Sequence, residues 1–293
     1  MDLTETDVSL LKYTAYLCEV FPVKDVILLH NVLLDEPPKE LQDLYPETSQ
    51  PIDKLIRGEI TDNIREYLPG IAAETDIKIF QNETTSEIIK WVNAQEVDVS
   101  ILGNKPEGEG QGIFSTRFLR LTTQAVLLVP ENAPFPISKV LSPVDFSKSA
   151  IPIIRSSTVV SEAIPAEINY LHLYSLPPQH FPYLPPDMNK FREGYVQYGK
   201  EEFRKLREKA LEKDGQGECE MKLIERGDVA HEIYQWAQRH KSDLIIAGAK
   251  GKNNAEVLIL GSETEKLTTI VKDIPLLIVK RKAHYSWLES FLD

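Results

Sequence analysis

The chain has 293 residues, 42% of them hydrophobic, a length and composition that predict two globular domains with full cores. Its formal net charge of -12 argues against nucleic-acid and anionic-lipid partners, because an acidic surface repels phosphate groups. Two widely separated cysteines predict reduced, buried thiols, and no apolar run reaches the roughly 18 residues that span a bilayer. The start also lacks the layout of a signal peptide, so we expect a cytoplasmic protein that is not inserted into a membrane.

The first half begins with an apolar strand at residues 26–30. An amphipathic helix from residue 87, a short polar turn and an apolar strand at 98–103 follow, and a strand at 126–129 closes this half. The next segment, 130–136, reads Pro-Glu-Asn-Ala-Pro-Phe-Pro. Prolines stiffen it and cannot donate to a central strand, so it is predicted to connect two domains.

The second half alternates strands and helices more regularly. The predicted strands are 140–144, 168–173, 220–224, 244–247 and 276–279, and the predicted helices are 150–161, 191–211, 229–240 and 262–271. Strands without polar alternation, separated by helices, predict a parallel sheet covered on both faces. Ligands of such doubly wound α/β sheets bind at the carboxyl ends of the strands, where the strand order reverses.

The two halves repeat each other. Residues 87–103 match 232–248 without a gap, and the outer strands 26–30 and 126–129 match 168–172 and 276–279 in the same order. We therefore predict two tandem domains, 1–133 and 138–283, followed by a tail at 284–293.

A glycine-rich loop follows the fourth strand of the second half. Gly248 and Gly251 allow the backbone to turn tightly and approach phosphate oxygens, and Lys250 and Lys252 add positive charge.

The next predicted helix opens with Gly261 and Ser262, and a helix N-terminus favours an anion. The structural alternative is a capping box, in which Ser262 caps the helix and Glu265 reaches back.

This half resembles a universal stress protein domain, strongly over residues 138–282, and residues 2–130 resemble it more weakly. Nucleotide-binding members of that family carry G-x2-G-x9-G-[ST]. The resemblance implies a Rossmann-like, adenine nucleotide alpha hydrolase-like fold that binds ATP, with Mg²⁺ left open. The implied binding residues are Asp145 and the backbone of Leu173 for the nucleoside, and Gly248, Gly251, Gly261 and Ser262 for the phosphates.

The loop after the strand 98–103 of the first half departs from the family pattern G-x2-G-x9-G-[ST]. Gly103 is kept, but Pro106 replaces the second glycine, and Glu107 and Glu109 bring negative charge where a phosphate needs positive charge. We therefore predict that this half binds no nucleotide.

The start of the first half is also unusual. Asp2-Leu3-Thr4 aligns with Asp145-Phe146-Ser147, so the strand that matches 140–144 would lie before Met1. We expect a first domain that lacks its first strand, or in which another segment fills that position.

The leading hypothesis is a stress-response regulator, a sensor or adaptor that binds ATP in its second domain. His30 and His172 recur at one strand end without a partner carboxylate, which favours packed histidines over a catalytic base. A slow ATPase or phosphotransferase and a scaffold that no longer binds nucleotide are the alternatives. The resemblance implies an internal pseudo-dimer joined through strands 126–129 and 276–279, while a homodimer and an unidentified protein partner stay open.

Overall fold

The computed structural model describes residues 1–32, 52–104, 113–175, 188–211, 217–224, 228–249 and 260–280. Within these ranges, no helix is both long and apolar enough to cross a membrane.

The first half contains four helices and four strands within the described residues. In chain order they are α1 Glu5–Val20, β1 Asp25–Val32, α2 Ile52–Tyr67, β2 Glu74–Gln81, α3 Thr85–Ala94, β3 Val99–Gly103, α4 Ile113–Leu121 and β4 Ala125–Val129. A capping box at Thr84 and Glu87 starts α3, which agrees with the helix predicted from residue 87.

The second half contains every strand and helix that the sequence predicts, with bounds that differ by no more than three residues. The elements are β5 Lys139–Pro143, a 3-10 turn Lys148–Ala150, α5 Ile151–Ala163, β6 Glu167–Tyr174, α6 Met188–Leu211, β7 Glu218–Leu223, α7 Val229–His240, β8 Leu244–Gly248, α8 Ser262–Ile270 and β9 Leu276–Val279.

One seven-stranded sheet joins the two halves, in the order β3-β4-β9-β8-β5-β6-β7. All neighbours run parallel except β4 and β9, which pair antiparallel with Leu127 opposite Leu277. The pairing of the two closing strands is therefore the one that the resemblance implies. Helices cover both faces of the sheet, as a doubly wound α/β fold requires.

The remaining strands of the first half, β1 and β2, form a separate two-stranded parallel sheet. The second half has the order β7-β6-β5-β8-β9, so the repeat assigns the first half the order β2-β1-gap-β3-β4. Among the described residues no strand lies between β1 and β3. Over the described part of the chain, the first half thus has one strand fewer than the second, as predicted.

Buried apolar residues form a core on each face of the sheet. In β5, Val140 points into one core and Leu141 into the other, and both are 0% exposed. The helices α1, α5 and α6 cover the first core, and α3, α4, α7 and α8 cover the second. Trp236 is buried in the second core, and Trp91 is half-buried against it.

Candidate nucleotide site at the carboxyl ends of the strands

A tight turn follows the central strand β5. The Asp145 Oδ1 atom accepts hydrogen bonds from the Ser147 amide at 3.0 Å and from the Ser147 hydroxyl at 2.7 Å. Phe146, between them, has a φ of 55°, the left-handed conformation that such a turn needs. Within the described residues, Asp145 Oδ2 has no hydrogen-bond partner, so this oxygen is available to a ligand.

A cavity of about 310 Å³ opens beside this turn. Its lining includes Phe146 and His172, whose rings stack with centroids 4.0 Å apart and planes 13° from parallel. The residues that line it are Asp145, Phe146, Ser147, His172, Tyr195, Tyr198 and Glu202. Aromatic rings and a carboxylate in the lining of one cavity suit a planar heterocycle attached to a hydroxylated sugar.

The two histidines at this strand end have structural partners. Nδ1 of the buried His172 donates to the Val144 carbonyl at 2.8 Å, and His30 makes the same bond to the Met1 carbonyl at 3.0 Å. Each bond ties one ring nitrogen to a backbone carbonyl and fixes the orientation of the ring, with Nε2 as the nitrogen that accepts a proton. Both histidines are therefore hydrogen-bonded, as the packed interpretation predicts, and the absence of a catalytic role stays a prediction.

Leu173 lies on β6 but does not line the cavity. Its side chain packs against the core on the opposite face of the sheet. Only its backbone is therefore available to a ligand, and the adenine contact implied by the resemblance stays a prediction.

The glycine-serine pair lies at the same edge of the sheet. β8 is the parallel neighbour of β5, with Leu141 opposite Ile245, so Gly248 and Asp145 follow the carboxyl ends of adjacent strands. The Gly261 amide donates to the Ala249 carbonyl at 2.7 Å, which fixes the start of α8 to the end of β8. The structure therefore brings Asp145, Gly248, Gly261 and Ser262 to one edge, whereas Gly251 falls in 250–259, outside the described residues.

The structural alternative for the start of α8, a capping box formed by Ser262 and Glu265, is wrong. The N-cap residue is Gly261, in an extended conformation, and no side chain of the described residues caps the helix. Glu265 does not reach back because it forms an ion pair with Arg120 of the first half at 2.5 Å. The hydroxyl of Ser262 is therefore not used by a cap, and the helix start is suited to an anion.

Negative side chains near this helix start face other groups. A Glu263 carboxylate oxygen accepts from the Ala230 amide at 3.2 Å, at the start of α7. Lys266 pairs with Asp228 at 2.7 Å, and this hydrogen bond holds the pKa of the Asp228 carboxyl below its usual value. Each carboxylate thus has a positive or donor partner, which reduces its repulsion of a phosphate.

The corresponding edge of the first half is filled. Asn104, 1% exposed, donates through Nδ2 to the Val271 carbonyl at 2.7 Å and accepts from the Lys272 ammonium at 3.0 Å. A Cβ on Gly103 would lie 3.1 Å from Cγ2 of Thr6, because α1 packs against this strand end. Residues 105–112, with Pro106, Glu107 and Glu109, lie outside the described residues.

Three cavity residues were not anticipated from the sequence. Tyr195, Tyr198 and Glu202 belong to α6, where they follow a helical spacing that carries no recognised motif. The spacing of i, i+3 and i+7 places them on one helix face, but it does not reveal which strand end that face meets.

The cysteines lie away from this edge. Both thiols are free; Cys219 is buried, as predicted, and Cys18 is only half-buried. Burial raises the pKa of the Cys219 thiol to about 12 and also raises the pKa of Cys18. Neither thiol is therefore activated as a nucleophile.

Comparison with known proteins gives relatives of one kind. Residues 136–280 match the family model described as the universal stress protein family. The chain is 40% identical to the stress response protein NhaX of Bacillus subtilis over 65 residues, which is 22% of this chain and 38% of that protein. It is also 27% identical to a universal stress protein of Methanocaldococcus jannaschii over 147 residues, which is 49% of this chain and 82% of that protein.

Two solved structures resemble the chain along nearly its whole length. A universal stress protein from Archaeoglobus fulgidus is 16% identical with a TM-score of 0.66, and the match covers 96% of each chain. A protein from Pseudomonas aeruginosa, described as a universal stress protein, is 15% identical with a TM-score of 0.59, covering 94% of this chain and 99% of that one. At these identities the likeness establishes the fold, and the family rests on the sequence match of the second half. The chain belongs to the universal stress protein family.

Proposed function

We propose that this protein is a stress-response regulator that binds ATP in its second half, as a sensor or adaptor. The observation that carries the proposal is the glycine start of α8, which has no side-chain cap and is tied to the end of β8 beside Asp145. Exposed amides at a helix start next to a turn at the strand ends are the arrangement that binds nucleotide phosphates in open α/β sheets.

The described residues fit an adenine nucleotide. Asp145 keeps one carboxylate oxygen for ribose hydroxyls, and the cavity over Phe146 has the flat wall that a base needs. Gly248, Gly261 and Ser262 would hold the phosphates, and Gly251 would add an amide, as the family pattern implies. Leu173 would contribute its backbone to the base.

A magnesium ion bound with ATP would neutralise part of the phosphate charge. Ser262 is the residue that would lie nearest to it, because hydroxyl oxygen is a ligand that Mg²⁺ accepts beside phosphates. The acidic side chains closest to α8 are already paired, with Glu265 on Arg120 and Asp228 on Lys266. Binding of ATP should therefore be stronger with Mg²⁺ than without it.

Rapid hydrolysis is not part of the proposal. A fast ATPase needs a group that orients or deprotonates water at the γ-phosphate. Among the residues that line the described cavity, His172 is buried and stacked on the Phe146 ring, and Glu202 pairs with Lys205 at 3.0 Å. These contacts favour a binding protein over the alternative of an ATPase or phosphotransferase.

The proposal includes the division of the chain into a degenerate domain at 1–133, a nucleotide-binding domain at 138–283 and a tail at 284–293. It also assigns the protein to the cytoplasm, where ATP is abundant. A separate protein would recognise the ATP-bound form of this chain.

The decisive experiment identifies the nucleotide and then counts turnover. Mass spectrometry of the gently purified protein should detect a bound adenine nucleotide. Calorimetry should show ATP binding that the Ser262→Ala substitution weakens. A steady-state assay should give no turnover above the Ser262→Ala level. Turnover that Ser262→Ala abolishes would establish the enzyme alternative, and no binding at saturating ATP would establish the scaffold.

A further inference from the structure

A second cavity, of about 390 Å³, lies at the amino ends of two central strands. The residues that line it are Lys139, Glu167, Asn169, Arg239, His240 and Lys241. Lys139 and Glu167 are the first residues of β5 and β6 and lie opposite each other in the sheet. The five residues of β5, a length of roughly 15 Å, therefore separate this cavity from the candidate nucleotide site at the carboxyl end.

The cavity lies between the sheet and the end of α7. Leu141 of β5 packs in the second core, and Lys139, two residues earlier on the strand, points to the same face of the sheet. The helix α7 covers this face through Trp236, and its last turn contributes Arg239 and His240. Basic residues at a helix end are favoured by the helix dipole alone, but the dipole does not explain a lysine that reaches the same cavity from a strand.

The lining of this cavity is positively charged, although the whole chain has a net charge of -12. Three of the six lining residues are lysine or arginine, and one, Glu167, is acidic. The Glu167 Oε1 atom accepts a hydrogen bond from Asn169 Nδ2 at 3.0 Å, so the carboxylate has a donor within the lining itself. The lining therefore carries an excess of positive charge.

Two further carboxylates lie near the cluster, and each has its own donors. Asp243 Oδ2 accepts from the Lys139 amide at 2.9 Å. Glu232 pairs with Lys222 at 2.6 Å, and this hydrogen bond holds the pKa of the Glu232 carboxyl below its usual value, with a smaller contribution from Arg239. These donors reduce the repulsion that the two carboxylates exert on an incoming anion.

Donors also occupy carbonyl groups at the end of α7. Arg239 Nε donates to the Gln235 carbonyl at 3.2 Å, and the Lys241 amide donates to the carbonyls of Ala237 and Gln238. Free carbonyl groups at a helix end carry partial negative charge and would repel an anion. Their hydrogen bonds in this helix reduce that repulsion.

Lys241 has an unusual backbone for a lysine. It ends α7 in the left-handed conformation, with a φ of 55° and a ψ of 52°. Glycine adopts this conformation at a helix end without steric cost, whereas a residue with a side chain does not. The lysine therefore lowers stability at this position, and what it supplies in return is a positive charge at the cavity.

We propose that this cavity, formed by the starts of β5 and β6 and the end of α7, binds a small phosphorylated molecule. A guanidinium group can donate two parallel hydrogen bonds to a phosphate, and the two lysines add positive charge. The volume of about 390 Å³ is in the range of small-molecule sites and exceeds that of a single phosphate group. The net charge of -12 opposes extended polyanions such as nucleic acids and anionic membranes.

The test titrates the full chain with inorganic pyrophosphate in a Gly261→Val background, in which the start of α8 is blocked, so that the ATP proposal and this one fail separately. Calorimetry should show pyrophosphate binding that Arg239→Gln weakens at least about tenfold, because a bidentate contact is lost. Glu167→Gln should strengthen binding about threefold, since it removes a carboxylate from the lining and keeps an acceptor for Asn169. Lys90→Gln, which removes an exposed charge from α3, should leave the affinity unchanged.

The variant Lys241→Gly separates binding from folding. It should weaken pyrophosphate binding at least about threefold and raise Tm by about 2 °C, because glycine relieves the left-handed strain. Absence of pyrophosphate binding, equal affinity of the Arg239→Gln variant, or weaker binding by Glu167→Gln would each overturn the proposal. Displacement of pyrophosphate by vesicles of anionic phospholipid would assign the cluster to a membrane surface and overturn the assignment to a small molecule.

Discussion

Each half has the same turn near its start, at Asp2–Thr4 in the first half and at Asp145–Ser147 in the second. The halves differ in the strand that precedes this turn and in the contacts at the strand ends. In the second half, β5 fills the centre of the sheet and α8 starts with an uncapped glycine. In the first half, the central position lacks a strand among the described residues, and α1 and Asn104 fill the strand end instead. One copy of a duplicated fold has kept the edge that suits a ligand, and the other has turned it into structural contacts.

Contacts between the halves also connect the first half, which has structural contacts at its strand end, to the proposed ligand site of the second half. Arg120 of α4 draws Glu265 away from the start of α8, and Asn104 holds the carbonyl that follows α8. The first half thus supports the helix on which the proposed phosphate site depends. A change in the first half is expected to reach that site through α8.

The largest effect is expected from Gly261→Val. A side chain at this position would occupy the space beside the phosphates, whereas the φ of -64° and ψ of 146° are accessible to valine without strain. Micromolar ATP binding corresponds to about 8 kcal/mol, and a loss of roughly 3 kcal/mol weakens it more than a hundredfold. Calorimetry measures the affinity, and thermal unfolding should show an unchanged transition.

The matched control for this variant is Gly58→Val in α2 of the first half. A Cβ at Gly58 meets nothing within 4 Å, so this substitution should leave both ATP affinity and folding unchanged. Undiminished ATP binding by Gly261→Val would remove the start of α8 from the site.

The stoichiometry of ATP binding tests the comparison itself. We expect one site per chain, in the second half. In the loop of the first half, Pro106 has no amide to donate, and Glu107 and Glu109 repel phosphate. A unit charge about 6 Å from a phosphate changes the interaction energy by on the order of 3 kcal/mol at an effective dielectric of 20. Calorimetric titration gives the number of sites, and Gly248→Val should abolish the heat signal. Two sites of similar affinity would show that the first half also binds.

The sequence was sufficient for most of the second half because its strands are wholly apolar. The strands β8 and β9 could be located from composition alone, and the repeat then located their counterparts β3 and β4. In contrast, α1, α2 and β2 were not predicted. β2 has polar residues along an exposed edge, and α1 carries apolar residues toward two different cores, which weakens the periodic pattern.

The site was predictable where chemistry is local and not where it depends on distant partners. The glycines and Asp145 are recognisable because a short pattern fixes their roles. The capping box at Ser262 and Glu265 matched its own local pattern equally well, yet Arg120, 145 residues away, pairs with Glu265. Such a long-range ion pair leaves no mark on the local sequence.

Filling the central position of the first half should stabilise the protein. A copy of residues 138–143 placed before Met1 would bury two aliphatic side chains and pair two strand edges, at the cost of ordering six residues. We expect a net gain of roughly 2 kcal/mol and a rise in Tm of about 4 °C. Differential scanning calorimetry measures it. A fused copy with Val140→Asp and Leu141→Asp should give no gain, and equal Tm values for the two fusions would show that no strand is accepted.

The smallest predicted effect concerns Lys280, which lies at a position where the repeat puts no lysine in the first half. Lys280 follows β9, and its buried Nζ donates to the carbonyls of Leu119 at 2.6 Å and Thr122 at 2.5 Å, at the end of α4. The corresponding residue after β4 is Pro130, so this contact has no counterpart across the β4–β9 pairing. It is therefore a one-sided link from the second half to the first.

Burial lowers the pKa of Lys280 from 10.5 to about 7. Between these values the unfolded chain binds a proton that the folded chain has released, so stability rises as the pH increases from 7 toward 10.5. The carbonyl partners favour the ammonium and reduce the effect, and we expect this residue to contribute about 1 kcal/mol between pH 7 and pH 9. Urea unfolding at each pH should show that rise in the native chain and a smaller one in Lys280→Met. Lys90→Met, which removes an exposed charge from α3, should keep the native slope. If Lys280→Met keeps it too, Lys280 stays charged in the fold, and the link between the halves is an ordinary ammonium cap on α4.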